Sequence, residues 1–308
     1  MMTRAPSLAG SLAVLVAACA PGAAPPSPTP EHAPPATATL QDDGDHGPAR
    51  DPACPEPIPF IANVTTRVVD EAGAGLADAR VQLCVWTNEP RMLCLEPGRA
   101  DAQGDVRIEV APAARCMVSA TARVLLPQSR RPALYCDLEL SQDDASLTVP
   151  DPFVLLEAPA PVLLPPLGDE GAAREVDLGA VRVDVTPTAI GAEEYPRLAA
   201  VKLTLDEAPG CLAAQAPPFD ALVAFSPEVD VAGEGFSFSL DNDLGLEAGA
   251  RVELQVQGGI DCRTEGGDLL EKGAWHRLGD ARVDAAGARI VGQGESALPC
   301  LGWVGLLR

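Results

Sequence analysis

Nine cysteines and a single histidine beyond residue 46 carry most of the reactive chemistry in this 308-residue chain. Cys19 stands apart from the others. It follows Val16-Ala17-Ala18 at the end of an apolar run that begins at Leu8, with Arg4 ahead of it. A cysteine acts as a nucleophile through its thiolate, and this one closes a short apolar segment near the N-terminus. The run is too short to span a bilayer, and the basic start, short apolar centre and small residues together predict a secretory signal peptide over residues 1–18. Ala18-Cys19-Ala20 also fits the small-x-small pattern by which a soluble secreted protein is cleaved, an outcome that would release the chain.

The remaining cysteines, Cys54, Cys84, Cys94, Cys116, Cys136, Cys211, Cys262 and Cys300, form an even set. In an exported chain disulfides are the default state. Cys84 with Cys94, and Cys116 with Cys136, are spaced to clip neighbouring strands of one sheet. Five of the eight fall in the first half and three in the second, so either a bridge joins the halves or two thiols stay unpaired. The connectivity is open at this level. No Cys-x-x-Cys occurs, which weakens zinc and thioredoxin-like readings.

Other catalytic chemistry finds little support. His32 and His46 lie among prolines near the N-terminus, leaving His276 to serve any histidine-dependent hydrolase. There is no Gly-x-Ser-x-Gly elbow and no His-Glu-x-x-His. His276, three residues ahead of Gly279-Asp280, reads as a packing or surface residue. Paired carboxylates suffice for glycoside hydrolysis, and Glu193-Glu194-Tyr195 and Asp241-Asn242-Asp243 are the densest candidates, both in segments expected to be exposed loops. Asp241-Asn242-Asp243 with Gly245 faintly suggests calcium, but no glutamate closes a twelve-residue loop, and a plain turn is the expectation. No metal site and no cofactor are expected. Asn63-x-Thr65 matches a glycosylation acceptor and is read as chance. Trp86, Trp275 and Trp303 are expected in the core, an exposed binding role being the lesser reading.

The elements that would hold these residues are strands. Prolines (31) and glycines (28) interrupt the chain too often for long helices, and no stretch sustains a 3.6-residue apolar period. Aromatics are 4% of the chain, so the core must be built from Val, Leu, Ile and Ala. The net charge is −22, with Lys202 and Lys272 the only lysines, which argues against nucleic acid because phosphate binding needs clustered cations. Residues 19–57 carry Pro21, Pro25, Pro26, Pro28, Pro30, Pro34, Pro35 and Pro48 and read as a disordered proline-rich tether. At about 3.1 Å per residue it reaches roughly 100 Å at most. The Asp42-Asp43-Gly44-Asp45-His46 cluster in it reads as solvated charge.

Strands are expected at Val64–Val69, at Val81, Leu83 and Val85, at Val106, Ile108 and Val110, and at Val118, Ala120, Ala122 and Val124, each alternating at period two. In the second half they are expected near 181–185, 201–205, 223–225, 236–240, 252–256 and 289–291. The fold class is therefore all-β, as two β-sandwich domains of prealbumin or immunoglobulin-like type at 58–185 and 186–308.

Two resemblances refine this reading. Val68-Val69-Asp70-Glu71-Ala72-Gly73, Leu76-Ala77-Asp78-Ala79-Arg80-Val81-Gln82-Leu83 and Asp101-Ala102-Gln103-Gly104-Asp105-Val106-Arg107-Ile108 resemble the carboxypeptidase regulatory-like domain. That resemblance implies a prealbumin-like sandwich without catalytic residues of its own, with Val176–Val181 matching the closing strand of the family. The insertion Thr87–Gly98 and the proline-rich Val149–Pro166 depart from its compact pattern. More faintly, Leu240–Gly249, Trp275, Gly279–Gly287 and Leu301-Gly302-Trp303 are similar to a β-sandwich module of large bacterial surface proteins. Val16-Ala17-Ala18-Cys19 resembles the lipobox of bacterial lipoproteins. This implies a diacylglyceryl group on Cys19, acylation of the new amino terminus by a palmitate-type chain and, since Ala20 is not acidic, passage to the outer membrane or cell surface. The expectation is a non-catalytic lipoprotein, held to the membrane by lipid, that displays its domains to a protein or glycan partner of the envelope. The alternative is an envelope hydrolase using carboxylates.

Overall fold

The computed structural model describes residues 54–89, 91–142, 145–166, 172–231, 235–264 and 266–308. The expected signal peptide, Cys19, the tether as far as residue 53, His32 and the 42–46 cluster lie outside the described residues. No helix among the described residues is long and apolar enough to cross a membrane.

The chain is all-β. Its first part comprises β1 (Asn63–Val69), β2 (Arg80–Thr87), β3 (Met92–Cys94), β4 (Gly98–Arg99), β5 (Asp105–Glu109), β6 (Met117–Leu125), β7 (Leu134–Asp137), β8 (Ser146–Thr148) and β9 (Phe153–Val154). Among the described residues these form two sheets. One has the order β5-β1-β8, with β9 on β1; the other has the order β3-β2-β6-β7, with β4 on β2. Alternation does what the sequence reading expects of it. Val81, Leu83 and Val85 are fully buried while Arg80 and Trp86 face outward. Burial of each such side chain stabilises by about 1.5–3 kcal/mol.

Two aspartate-led turns bring the sheets into register. Asp70 Oδ1 accepts the N–H groups of Ala72 and Ala74, and Asp101 Oδ1 accepts those of Gln103 and Asp105. The turns pack on each other so closely that a Cβ on Gly75 would lie 2.0 Å from the Gln103 carbonyl oxygen. One on Gly104, at φ +84°, would lie 2.2 Å from that of Val68. Only glycine satisfies both demands. β6 departs from simple alternation at its start. Trp86 pairs with Ser119 and Thr87 with Met117, so a bulge skips Val118. Met117 is buried instead, and Val118 is 59% exposed.

The second part comprises β10 (Arg174–Asp177), β11 (Val181–Val185), β12 (Ala199–Leu203), helix α1 (Gly210–Gln215), β13 (Ala221–Asp230), β14 (Phe238–Asp241), β15 (Arg251–Gln257), β16 (Trp275–Val283), β17 (Arg289–Gly292) and β18 (Cys300–Leu307). Among the described residues its strands make one sheet, ordered β10-β11-β14-β17-β16-β15-β18-β13-β12. The sheet curls until β11 approaches β12. It encloses a core that includes Val183, Val223, Phe225, Phe236, Leu240, Leu254 and Ile290. Val176–Val181, expected as the closing strand of the first sandwich, lies in the β10–β11 hairpin, which pairs through β11 with β14 and so belongs to this larger sheet. Their short hairpin satisfies only each other's inner edges, and β14 supplies the next ladder. The expected boundary at 185/186 therefore falls inside the sheet, after its second strand.

The two parts share a core. Leu222, Ala224 and Trp303, on the opposite face of the curled sheet from Val223 and Val304, cluster with Leu212, Phe219 and the first sandwich. Trp303 Nε1 donates to the Ala133 carbonyl at 2.7 Å. Three disulfides are present among the described residues: Cys84–Cys94 clips β2 to β3, Cys262–Cys300 holds the loop after β15 to β18, and Cys136–Cys211 ties β7 to α1. Cys136 thus pairs across the two parts and not with Cys116. Cys116 packs instead against the buried cluster of Cys54, Phe60 and Ala62.

Candidate functional site

The outer face of the five-stranded sheet carries the polar and aromatic side chains that alternation turns away from the core. Along β2 these are Arg80, Gln82, Cys84 and Trp86; opposite them on β6 stand Leu125, Arg123, Thr121 and Ser119. On β7, Tyr135 lies beside Arg123 and Asp137 beside Thr121. Loops of the curled sheet cross the middle of this face and leave hollows on either side.

At the crossing point is Glu228, from β13. Its Oε2 accepts Arg123 Nε at 2.9 Å and Nη2 at 2.7 Å; its Oε1 accepts the Ile260 N–H at 2.7 Å and the Tyr135 hydroxyl. The Glu228 and Arg123 side chains are 7% and 19% exposed. Burial pushes the Tyr135 hydroxyl far above its ordinary pKa, and the neighbouring Glu228 carboxylate adds to this. Burial opposes the charge on Arg123, but the attraction of Glu228 outweighs it and raises that pKa. Gly259 allows the approach: a Cβ there would sit 2.2 Å from Glu228 Oε1. A carboxylate that already accepts four hydrogen bonds joins the two parts of the molecule and has no capacity left for a substrate. The sequence reading missed it. The available signal was Pro227 inside an apolar run, which marks a bulge; the register of β13 on β18 does shift between Ala224 and Val229.

On one side of this lock is a cleft of about 370 Å³ lined by Arg80, Arg123, Arg131 and Arg197 with Glu194 and Glu228. On the other is a hollow of about 150 Å³ whose walls include Trp86, Met92, Asp137, Glu271 and Lys272. Trp86 is 38% exposed, against the expectation of a core role, because strand parity puts it on the outer face. Trp303 is buried, and Trp275 packs on Phe219 with ring centroids 4.6 Å apart.

Asp137 also borders a larger hollow, a groove of about 680 Å³ between β7, the segment from β8 to β9, and α1. Leu138, Leu147, Val149 and Val154 give it half-buried apolar walls, and Asp137, Glu139 and Asp151 form an exposed acidic rim. The Cys136–Cys211 bridge lines it, and Gln215 of α1 donates to the Asp137 carbonyl oxygen at 3.2 Å. β7 and β8 are the terminal strands of their two sheets, so the groove runs along the open side of the first sandwich.

The residues singled out by sequence fall outside these hollows or are engaged elsewhere. His276 Nε2 lies 3.3 Å from the Glu271 carbonyl oxygen, while Asp280 pairs with Arg277 and Arg251, so the two do not meet. Asp241 pairs with Arg289 and Asp243 with Lys202. Asn242 closes its own turn through the Leu246 N–H and carbonyl. The Asp241–Asp243 stretch is therefore a neutralised turn. Glu193 offers its carbonyl to Arg197, and Glu194 alone of that pair reaches the arginine-lined cleft. Of the cysteine candidates, Cys136 and Cys211 border the large groove and Cys84 the small hollow.

No family model matches the chain, and no curated protein does. Among solved structures, a DUF3823 family protein from Parabacteroides merdae is similar over 80% of this chain and 98% of its own, at 8% identity and a TM-score of 0.21. At that score the likeness carries no argument about fold or function.

Proposed function

We propose that this chain is a non-catalytic, lipid-anchored protein of the bacterial envelope that binds an extended protein segment in the groove between β7, the β8–β9 segment and α1. The observation that carries the reading is the groove's composition. Its walls are apolar, its rim holds Asp137, Glu139 and Asp151, and its volume of about 680 Å³ lies in the range of ligand sites. Such a surface suits a segment that alternates apolar side chains with lysine or arginine. The apolar residues enter the groove and the cations meet the rim. The two sheet ends beside it offer backbone to an added strand.

The anchor half of the reading rests on Arg4, the Leu8–Val16 run and Cys19. Lipidation of that thiol and of the new amino terminus gives the two or more chains that stable anchoring needs. The resemblance of residues 60–125 to the carboxypeptidase regulatory-like domain supports an accessory, binding role. The proline-rich tether then sets how far the groove stands from the outer membrane.

Native protein solubilised in detergent tests both halves. Intact mass should show Cys19 as the lipidated first residue; an unmodified amino terminus beyond residue 19, in protein recovered from medium, overturns the anchor. Wild-type protein should retain an envelope protein that the Glu139→Lys/Asp151→Lys variant releases. Equal retention by both, capture of a glycan in its place, or substrate turnover abolished by one Asp or Glu substitution overturns the groove reading. Both rim residues are exposed, so the variant should fold normally.

A further inference from the structure

We infer that the arginine-lined cleft on the other side of the Glu228 lock is a second binding site, for a small carboxylate with an apolar body. In a chain of net charge −22, cations are scarce, yet this one cleft of about 370 Å³ gathers four guanidinium groups. They are not all neutralised. Arg131 is spent on Glu71, Glu157 and the Leu155 carbonyl. Arg197 reaches Glu194 only at 3.8 Å. Arg123 gives Nε and Nη2 to Glu228 while its side chain still lines the cleft. Arg80 is exposed at the cleft and makes no side-chain hydrogen bond or ion pair among the described residues.

Arg80 and Arg123 share one face of the sheet. Arg80 is opposite Leu125 and Gln82 is opposite Arg123, so the two arginines lie diagonally across adjacent strands. This separation suits a single planar oxyanion gripped from two sides. A guanidinium meets a carboxylate with two parallel N–H···O bonds, which sets orientation as well as attraction. Pro97, Leu126, Pro127 and Ala133 supply the apolar wall for the ligand's body. The lock fixes Arg123 from behind, so one half of the grip is already ordered before the ligand arrives.

Calorimetric titration of the intact protein in detergent with N-acetyl-leucine, N-acetyl-leucinamide and inorganic phosphate tests this. The acid should bind, the uncharged amide at least about tenfold more weakly, and the Arg80→Gln variant should weaken the acid by about tenfold while leaving thermal unfolding unchanged. Arg80→Lys should recover part of the loss. The inference is overturned by equal binding of acid and amide, by wild-type affinity in Arg80→Gln, by tighter binding of phosphate than of the acid, or by no detectable binding of the acid. The site stands or falls apart from the acidic groove, because the two share no lining residue.

Discussion

Replacing Glu228 with alanine should strongly destabilise the junction between the two parts of the protein. The side chain accepts two bonds from Arg123, one from the Ile260 N–H and one from the Tyr135 hydroxyl, and only 7% of it is exposed. Its loss leaves a guanidinium that is 19% exposed without a counter-charge. Breaking a buried ion pair in this way costs about 3–5 kcal/mol. For a folded unit of this size each kcal/mol lowers the melting temperature by about 2–4 °C, so a fall of roughly 10 °C is expected. Thermal and guanidinium unfolding of the wild type, Glu228→Ala, Arg123→Ala and the double variant complete a cycle. The coupling between the two sites should be about 2–3 kcal/mol. A loss below about 1 kcal/mol in Glu228→Ala, or additive effects in the double variant, would refute the claim that this pair fastens the sandwich to the curled sheet.

Two other outcomes are expected of the disulfides. Cys136–Cys211 closes a sequence separation of 75 residues and Cys84–Cys94 one of 10. On a chain-entropy basis their removal by Cys→Ser pairs should cost about 4.5 and about 3 kcal/mol respectively. Denaturant midpoints that rank the two in the opposite order would count against that account.

Stability should also fall at both ends of the pH scale. Burial opposes the charge on Glu71, but hydrogen bonds from the Glu157 N–H and Arg131 hold its pKa below the ordinary 4.5; the Arg308 side chain does the same for Asp220, below 3.8. Depressed carboxylates stabilise above the unfolded value, and that contribution disappears as pH falls through the folded one. Asp184, raised by burial and by Glu175, acts in the opposite sense. Tyr135, raised above 10.0, stabilises below that value and loses the contribution as pH rises further. Midpoints measured from about pH 3 to about pH 11 should therefore form a plateau. Tyr135→Phe should flatten its alkaline edge and Glu71→Gln its acid edge; unchanged edges would count against these assignments.

Much of the first sandwich was legible because its rules are local. Val81, Leu83 and Val85 alternate with outward residues, and Asp70-x-x-Gly73 and Asp101-x-x-Gly104 spell turns whose side-chain caps form within four residues. The Cys84–Cys94 clip is local in the same sense. Errors began where pairing over long range mattered. Val118 was assigned inward because a bulge is invisible until its partner strand is known. Val176–Val181, expected as the closing strand of the first sandwich, joins the larger sheet through the β10–β11 hairpin, because its apolar pattern suits either sheet. Trp86 is expected inside because aromatics are scarce in this chain, but its parity on β2 turns it outward.

The sequence alone determined the all-β class, the turns and the apolar faces, because each depends on neighbours within a few residues. The tertiary structure decided which faces meet. It gave Cys136 a partner 75 residues away, set Glu228 against Arg123 across 105 residues, and left the hollows bordered by Arg80 and Asp137. Such contacts carry no periodic or spacing signal. They arise because two sheets, each satisfied in its own ladder, must still bury their remaining apolar faces against each other.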